Sequence, residues 1–234
     1  MPTHGDNTWS RFLIEGVVIV VSILLAFGID AWWGQHQDRV AEGEAIDQLA
    51  EDFRANGLRL DTLRETHEAA LDAAYEILAR AGMGGQPKST ARTGEVVYVS
   101  LRAWSYDPVL GGINSLIQSG RLGLLRNDSL RVAIAGWPDI VGDLSGDEWL
   151  ETTNTFEKLG PYLIARGSMF DALRAGGKMT RLDASPGSDL GYLLSDSTFL
   201  QMMSWRVNGL ESILLEVETV DQSIVRILRL LGSN

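Results

Sequence analysis

Residues 12–33, "FLIEGVVIVVSILLAFGIDAWW", restrict this chain more than any other stretch. Between Glu15 and Asp30 there is no charged residue. A helix needs about 20 apolar residues to cross the hydrocarbon core of a bilayer, and this run reaches that length with its ends. Trp9, Trp32 and Trp33 bracket it at the positions where aromatic rings sit at headgroup level. We read it as a transmembrane helix. A cleaved leader would need a basic start, a shorter apolar core and a small-x-small site. Here only Arg11 precedes the run, and it ends in Asp-Ala-Trp-Trp, so we expect an uncleaved anchor.

The expected division is a tail at 1–11, the span at 12–33 and an extramembrane domain at 34–234. Arg11 and Arg39 give each flank one basic residue, and the α-amine tips the balance towards an N-terminus inside. Glu15 and Asp30 sit at the two ends of the span. The expectation is that Glu15 pairs with Arg11 at i,i+4 near the headgroups and that Asp30 lies in the Trp belt. Ser22 and Ala26 form a small-xxx-small pair, with Gly16 and Gly28 nearby, which allows close approach of a second helix. The membrane and partner contact candidates are therefore Glu15, Gly16, Ser22, Ala26, Asp30, Trp32 and Trp33.

Beyond the span, residues 35–81 contain no proline, and apolar positions recur at alternating steps of three and four: Ile46, Leu49, Phe53, Asn56, Leu60, Leu63, His67, Ala70, Ala74 and Ile77. That is a heptad stripe on a helix continuing out of the membrane. Glycines at 82, 84 and 85 end it, and residues 88–94 read as loop. "EVVYVSLRAW" at 95–104 has the β-branched content of a strand but helical neighbours, and we read it as helix. "INSLIQSGRLGLLRNDSL" at 113–130 reads as a short helix, a corner and a second helix. Gly120 ends the first helix, Asn127 or Asp128 caps the next, and Leu122, Leu124 and Leu125 form a buried connector. Leu130, Val132, Ala133 and Ile134 are able to face inward. Trp137-Pro138 is expected to break that second helix, and Gly160-Pro161 to kink or divide the helical stretch after it. The stretch 176–189 reads as loop.

The last helix, capped by Ser195, Asp196 or Ser197, has the stripe Leu210, Leu214, Val217, Asp221, Ile224, Leu228 and Leu231. Two long striped helices at opposite ends of the chain suggest an antiparallel pair that returns Leu231 to the neighbourhood of Gln35. Asn56, His67 and Asp221 are then polar seam residues that fix register. The expected fold is all-α: one N-terminal transmembrane helix continuing into a long helix, packed with a long antiparallel C-terminal helix and shorter ones.

These segments together resemble an uncharacterised family of single-span bacterial membrane proteins, a domain of unknown function. The first motif is a Glu at the start of the span, a small-residue middle and an Asn/Asp-x-Trp exit, matched by Glu15, residues 22–26, Asp30 and Trp32. The second is the Ser-Gly-x-Leu-x-Leu corner of "INSLIQSGRLGLLRNDSLRVAI", shifted in register at its end, and "LLSDSTFLQMMSWRVNGL" is similar to the family's C-terminal segment. The resemblance implies a helical body anchored in the bacterial inner membrane. It implies no chemistry.

The residues point away from several function classes. With 20 basic and 31 acidic residues the net charge is −11, which disfavours a nucleic-acid partner. No cysteine is present, so disulfides and thiolate metal sites are excluded. His4, His36 and His67 make no His-x3-His pair, no Gly-x-Ser-x-Gly elbow occurs, and no phosphate loop follows the glycines at 82–85. The acid pairs Glu51-Asp52 and Asp147-Glu148 read as solvated charges, and "QMMSW" at 201–205 as core. Trp104, Trp137, Trp149 and Trp205 are either core or partner contacts. We expect no catalytic, cofactor or metal site. The partners implied are the lipid bilayer and other membrane-protein subunits. The expected function is a non-enzymatic accessory subunit docked into a larger membrane complex, bioenergetic, photosynthetic or respiratory. The alternative is a periplasmic sensory or ligand-binding helical bundle acting through a partner.

Overall fold

The structure, a computed structural model, describes residues 7–83, 90, 92–181 and 189–233. The first six residues of the tail, the expected turn and loop at 84–89 and 91, and the loop at 182–188 lie outside the described residues. Among the described residues there are seven α-helices and no strand.

Helix α1, Asn7–Arg80, is 74 residues long and unbroken, so it extends about 110 Å. It is long and apolar enough near its N-terminus to cross a membrane. Its last turn carries Arg80, a cation where the helix dipole favours one. The predicted stripe is the buried face: Leu49, Phe53, Asn56, Leu60, Leu63, His67, Ala70, Ala74 and Ile77 are all buried, and Ile46 is half-buried.

Helix α2, Thr93–Ser100, confirms helix for the first part of the ambiguous stretch. It ends earlier than expected: residues 101–110, Trp104 included, form an irregular strap that crosses the bundle before α3, Gly111–Gln118. The corner after α3 is as read. Gly120 takes φ 68°, a left-handed conformation that glycine adopts without steric cost, and the Asn127 side chain accepts from the Leu130 N–H to cap α4, Asp128–Asn154. The connector is a 3-10 turn, Arg121–Leu124, in which Leu122 and Leu124 are half-buried; Leu125 is the residue fully inside. Val132 faces outward.

Pro138 does not end α4. A proline inside a helix loses one backbone hydrogen bond and costs about 3 kcal/mol. Trp137 is completely buried, edge-on to Phe53 with ring centroids 4.8 Å apart. Val141 and Leu144 continue the same buried face. Burying each large apolar side chain contributes roughly 1.5–3 kcal/mol, which outweighs the proline. Gly160-Pro161 does not divide the chain's helical run: α4 passes through a π-turn, Thr155–Leu159, directly into α5, Gly160–Ala165, whose first turn holds Pro161 and whose backbone stays right-handed at Leu159 and Gly160. Helix α6, Ser168–Ala175, follows. After a 3-10 turn, Leu190–Ser195, the Asp196 carboxylate caps α7, Ser197–Leu231, accepting from the Thr198 and Phe199 N–H groups.

Helices α1 and α7 are antiparallel. Tyr75 hydrogen-bonds Glu211, Arg64 pairs with Asp221 at 3.0 Å and Glu218 at 3.8 Å, and Ile224 packs beside Gly57. Extending that register places Leu231 level with residues 49–53, so it does not reach Gln35. The gap from Trp33 is roughly 24 Å along the helix. The α7 seam also differs by one position at alternate steps: Ile213, Val220 and Ile227 are buried, while Leu214, Asp221 and Leu228 are half-buried at its edge. Asp221 is thus an edge partner of Arg64 and not a polar seam residue.

Two apolar cores result. The one nearer the span joins Leu49, Phe53, Trp137, Leu144, Ile213 and Ile227; the farther one joins Ile77, Val97, Leu163, Leu193, Phe199 and Met203.

Candidate functional site

The predicted membrane contacts lie together on one helix and nowhere else in the fold. Glu15, Gly16, Ser22, Ala26, Asp30, Trp32 and Trp33 are all exposed on α1. On a helical wheel Glu15, Ser22, Ala26 and Trp33 share one stripe, with Asp30 at its edge. The Ser22 hydroxyl donates to the Val18 carbonyl at 2.8 Å, so this face carries no free hydroxyl. Glu15 makes no ion pair with Arg11 among the described residues. Trp32, Trp33 and His36 form an aromatic cluster with centroids 6.0–6.3 Å apart at the end of the span. Residues 35–40 then stand exposed all round. The first contact with the body is Glu42, which accepts from the Arg126 N–H at 2.8 Å and pairs with its guanidinium at 3.2 Å.

Within the body the chemistry gathers on the strap. A buried segment without regular structure must find partners for its N–H and C=O groups. Here side chains from three helices supply them. Asn56, fully buried on α1, accepts from the Val109 N–H at 2.6 Å and donates to its carbonyl at 3.1 Å. Glu148 on α4 accepts from the Tyr106 N–H at 2.8 Å. His67 on α1 places Nε2 2.9 Å from the Trp104 carbonyl and 3.3 Å from the Trp104 N–H, so this nitrogen meets the strap as donor or as acceptor, and Nδ1 is unpaired. Arg59 donates to the Asp107 carbonyl, and Asp52 accepts from the Gly112 N–H at 3.0 Å.

Arg206 on α7 ties the arrangement together. Its Nε donates to the Ser100 carbonyl at 2.7 Å and its Nη2 to the Arg102 carbonyl at 2.7 Å. Its Nη1 donates to the Glu151 carboxylate and, at 2.7 Å, to the Thr155 hydroxyl. Thr155 in turn donates to Glu151 at 2.8 Å. Arg206 is 3% exposed and Glu151 4%. This polar layer lies between the two apolar cores. Burial pushes the Glu148 carboxyl up to about 7, against the opposing pull of the Tyr106 N–H. Burial lowers the His67 imidazole below 6.5 and raises the Tyr106 phenol.

The acid pairs are not wholly solvated. The structure buries Asp52 and Glu148, one member of each pair: Asp52 serves an N–H in the first turn of α3 and Glu148 a strap N–H. Arg206 and Glu151 carry no motif of their own in the sequence, but a signal is there for them and for the burial of Glu148: Val141, Leu144, Glu148, Glu151 and Thr155, and Arg206 with Leu210, follow the three-four spacing of buried faces.

Two surface features flank this layer. Between α4 and α7, Leu150 and Trp205 line a shallow groove, Trp205 being 60% exposed; Trp149, 69% exposed, faces away from it around α4. Between α2, the strap and the π-turn lies a groove of about 420 Å³ lined by Tyr98, Leu101, Trp104, Phe156, Met169 and Leu173 together with Arg102 and Lys178. Of the four tryptophans weighed from sequence, Trp137 is core and Trp104, Trp149 and Trp205 are on the surface. "QMMSW" divides likewise: Met203 is buried, Met202 half-buried and Trp205 exposed. No group of three or more His, Asp or Glu able to hold a metal ion occurs among the described residues.

Comparison with protein-family models, with curated proteins and with solved structures yields no match to this chain.

Proposed function

We propose that the protein is a non-enzymatic accessory subunit, anchored in the bacterial inner membrane with its helical body on the periplasmic side, that docks into a larger membrane complex. The observation that carries this reading is the α4–α7 face. Leu150 and Trp205 line one groove there and stay exposed beside a body whose two cores are already closed. Large aromatic residues left uncovered on a packed body are typical of interface anchors. The unbroken helix α1 adds a mechanical reason: it fixes this face in angle and height above the span, as docking onto a neighbouring membrane subunit requires. The stripe of Glu15, Ser22 and Ala26 offers that neighbour a close-packing helix face within the bilayer. The motif resemblance to single-span bacterial membrane proteins agrees with the same architecture.

The experiment is extraction from the native membrane in mild detergent, followed by particle-mass measurement and identification of whatever co-elutes. A stoichiometric complex is expected, lost in the Leu150→Ala/Trp205→Ala double variant while the isolated chain stays folded. A monomer or small homo-oligomer in wild-type extracts would overturn the reading.

A further inference from the structure

We propose that the groove between α2, the strap and the π-turn binds a small amphipathic organic anion. The ligand class is an aromatic or short acyl carboxylate, its apolar body against Tyr98, Trp104 and Phe156 and its carboxylate at Arg102 and Lys178. This site is separate from the α4–α7 face and holds whether or not the body docks into a complex.

Four observations converge. The volume, about 420 Å³, lies within the range of small-molecule sites, roughly 300–1,000 Å³. The walls are aromatic and uncovered, Trp104 being 55% and Phe156 61% exposed. Phe156 stands on a π-turn, an insertion often found at functional positions. The third observation is electrostatic. In a chain of net charge −11, no carboxylate lines this groove, whereas Glu151 lines one neighbouring groove and Glu95, Asp171 and Asp189 another. Arg102 and Lys178 are exposed and make no ion pair among the described residues, Lys178 standing on the rim shared with the groove of Glu95, Asp171 and Asp189. An apolar trough with two unneutralised cations complements one negative head on an apolar body, and guanidinium matches a carboxylate in planar geometry.

The fourth observation is rigidity. A Cβ on Gly176 would stand 2.0 Å from Cδ1 of Tyr98, so the ring lies directly against that backbone. The opposite wall is the strap, held by His67, Glu148 and Arg206. Fixed walls reduce the ordering cost of binding.

The test uses the full-length chain in nanodiscs of zwitterionic lipid, with empty discs subtracted, and calorimetric titration of 2-naphthoate against its neutral analogue 2-naphthamide. The comparison variant is Arg102→Gln/Lys178→Gln. Both side chains are exposed, and Arg102 serves the fold through its carbonyl, so the variant folds; circular dichroism checks this. We expect saturable binding of one naphthoate per chain, with the amide on wild type and naphthoate on the variant both at least tenfold weaker. Equal binding of acid and amide, equal binding by wild type and variant, or no saturable heat at millimolar naphthoate would each overturn the proposal. Binding confined to a peptide ending in a free phenylalanine carboxylate would also overturn it, and would assign the groove to a protein tail.

Discussion

A guanidinium at 3% exposure is tolerable only when it is well paired, and each of the three Arg206 nitrogens has a partner among Glu151, Thr155 and the carbonyls of Ser100 and Arg102. Removing one side of such a pair leaves a buried charge uncompensated. Arg206→Ala is expected to destabilise the body by about 3–5 kcal/mol, while Arg206→Met combined with Glu151→Leu costs much less; urea denaturation in detergent measures both. Glu148 gives a pH dependence of definite sign. Its carboxyl titrates at about 7 in the fold against an ordinary value of 4.5. Between those values the folded state holds the extra proton, so this contribution to stability falls as pH rises through the window and is gone above about 7. His67 works in the opposite sense: its folded value lies below 6.5, so its contribution is complete above 6.5 and is lost as pH falls through the lowered value. Glu148→Gln removes the first effect and keeps an acceptor for Tyr106. Between pH 5 and pH 8 the wild type is therefore expected to lose roughly 2 kcal/mol more stability than the variant, read from urea midpoints at the two pH values.

At the scale of elements, α1 is one helix in three environments. Residues 12–33 are suited to lipid, residues 35–40 have no tertiary neighbours, and residues 49–77 carry the buried stripe. A helical stretch without packing has little beyond its own propensity to hold it. Amide hydrogen exchange along α1 is expected to be fast at 35–40 and slow by several orders of magnitude at 49–77. Uniform protection through the stalk would contradict the absence of contacts there. In α4, Pro138 survives because Trp137 is locked against Phe53. Trp137→Ala is expected to cost about 3–5 kcal/mol and to expose the helix to breaking at 138, visible as lost helicity by circular dichroism.

For the whole molecule, the consequence of a continuous α1 is angular. Each residue inserted into the stalk turns the body by about 100° about the helix axis and raises it by about 1.5 Å. Two residues inserted after His36 rotate the α4–α7 face by about 200°; four rotate it by about 400°, within about 40° of the start, at twice the lift. If the face docks at a fixed angle, the two-residue insertion abolishes stoichiometric co-purification and the four-residue insertion retains it, with the body's unfolding unchanged in both. A loss that grows with length would show that height governs docking.

The long helices, the apolar run at the start of α1, the caps to within a residue or two of Asn127 and Asp196, and the glycine corner at 120 are legible in the sequence. Each depends on local periodicity, on side-chain reach over three residues or on one residue's backbone freedom. The α7 register slipped by one position because a heptad of leucines fits two adjacent stripes, and only contact with α1 chooses Ile213, Val220 and Ile227 over Leu214, Asp221 and Leu228. Pro138 defeated a local rule because the packing of Trp137 exceeds its cost. The strap, and the burial of Glu148, Glu151 and Arg206 that serves it, belonged to the tertiary structure alone. Whether a charge on a helix face is solvated or enclosed depends on what crosses that face, and here the crossing segment comes from up to 104 residues away.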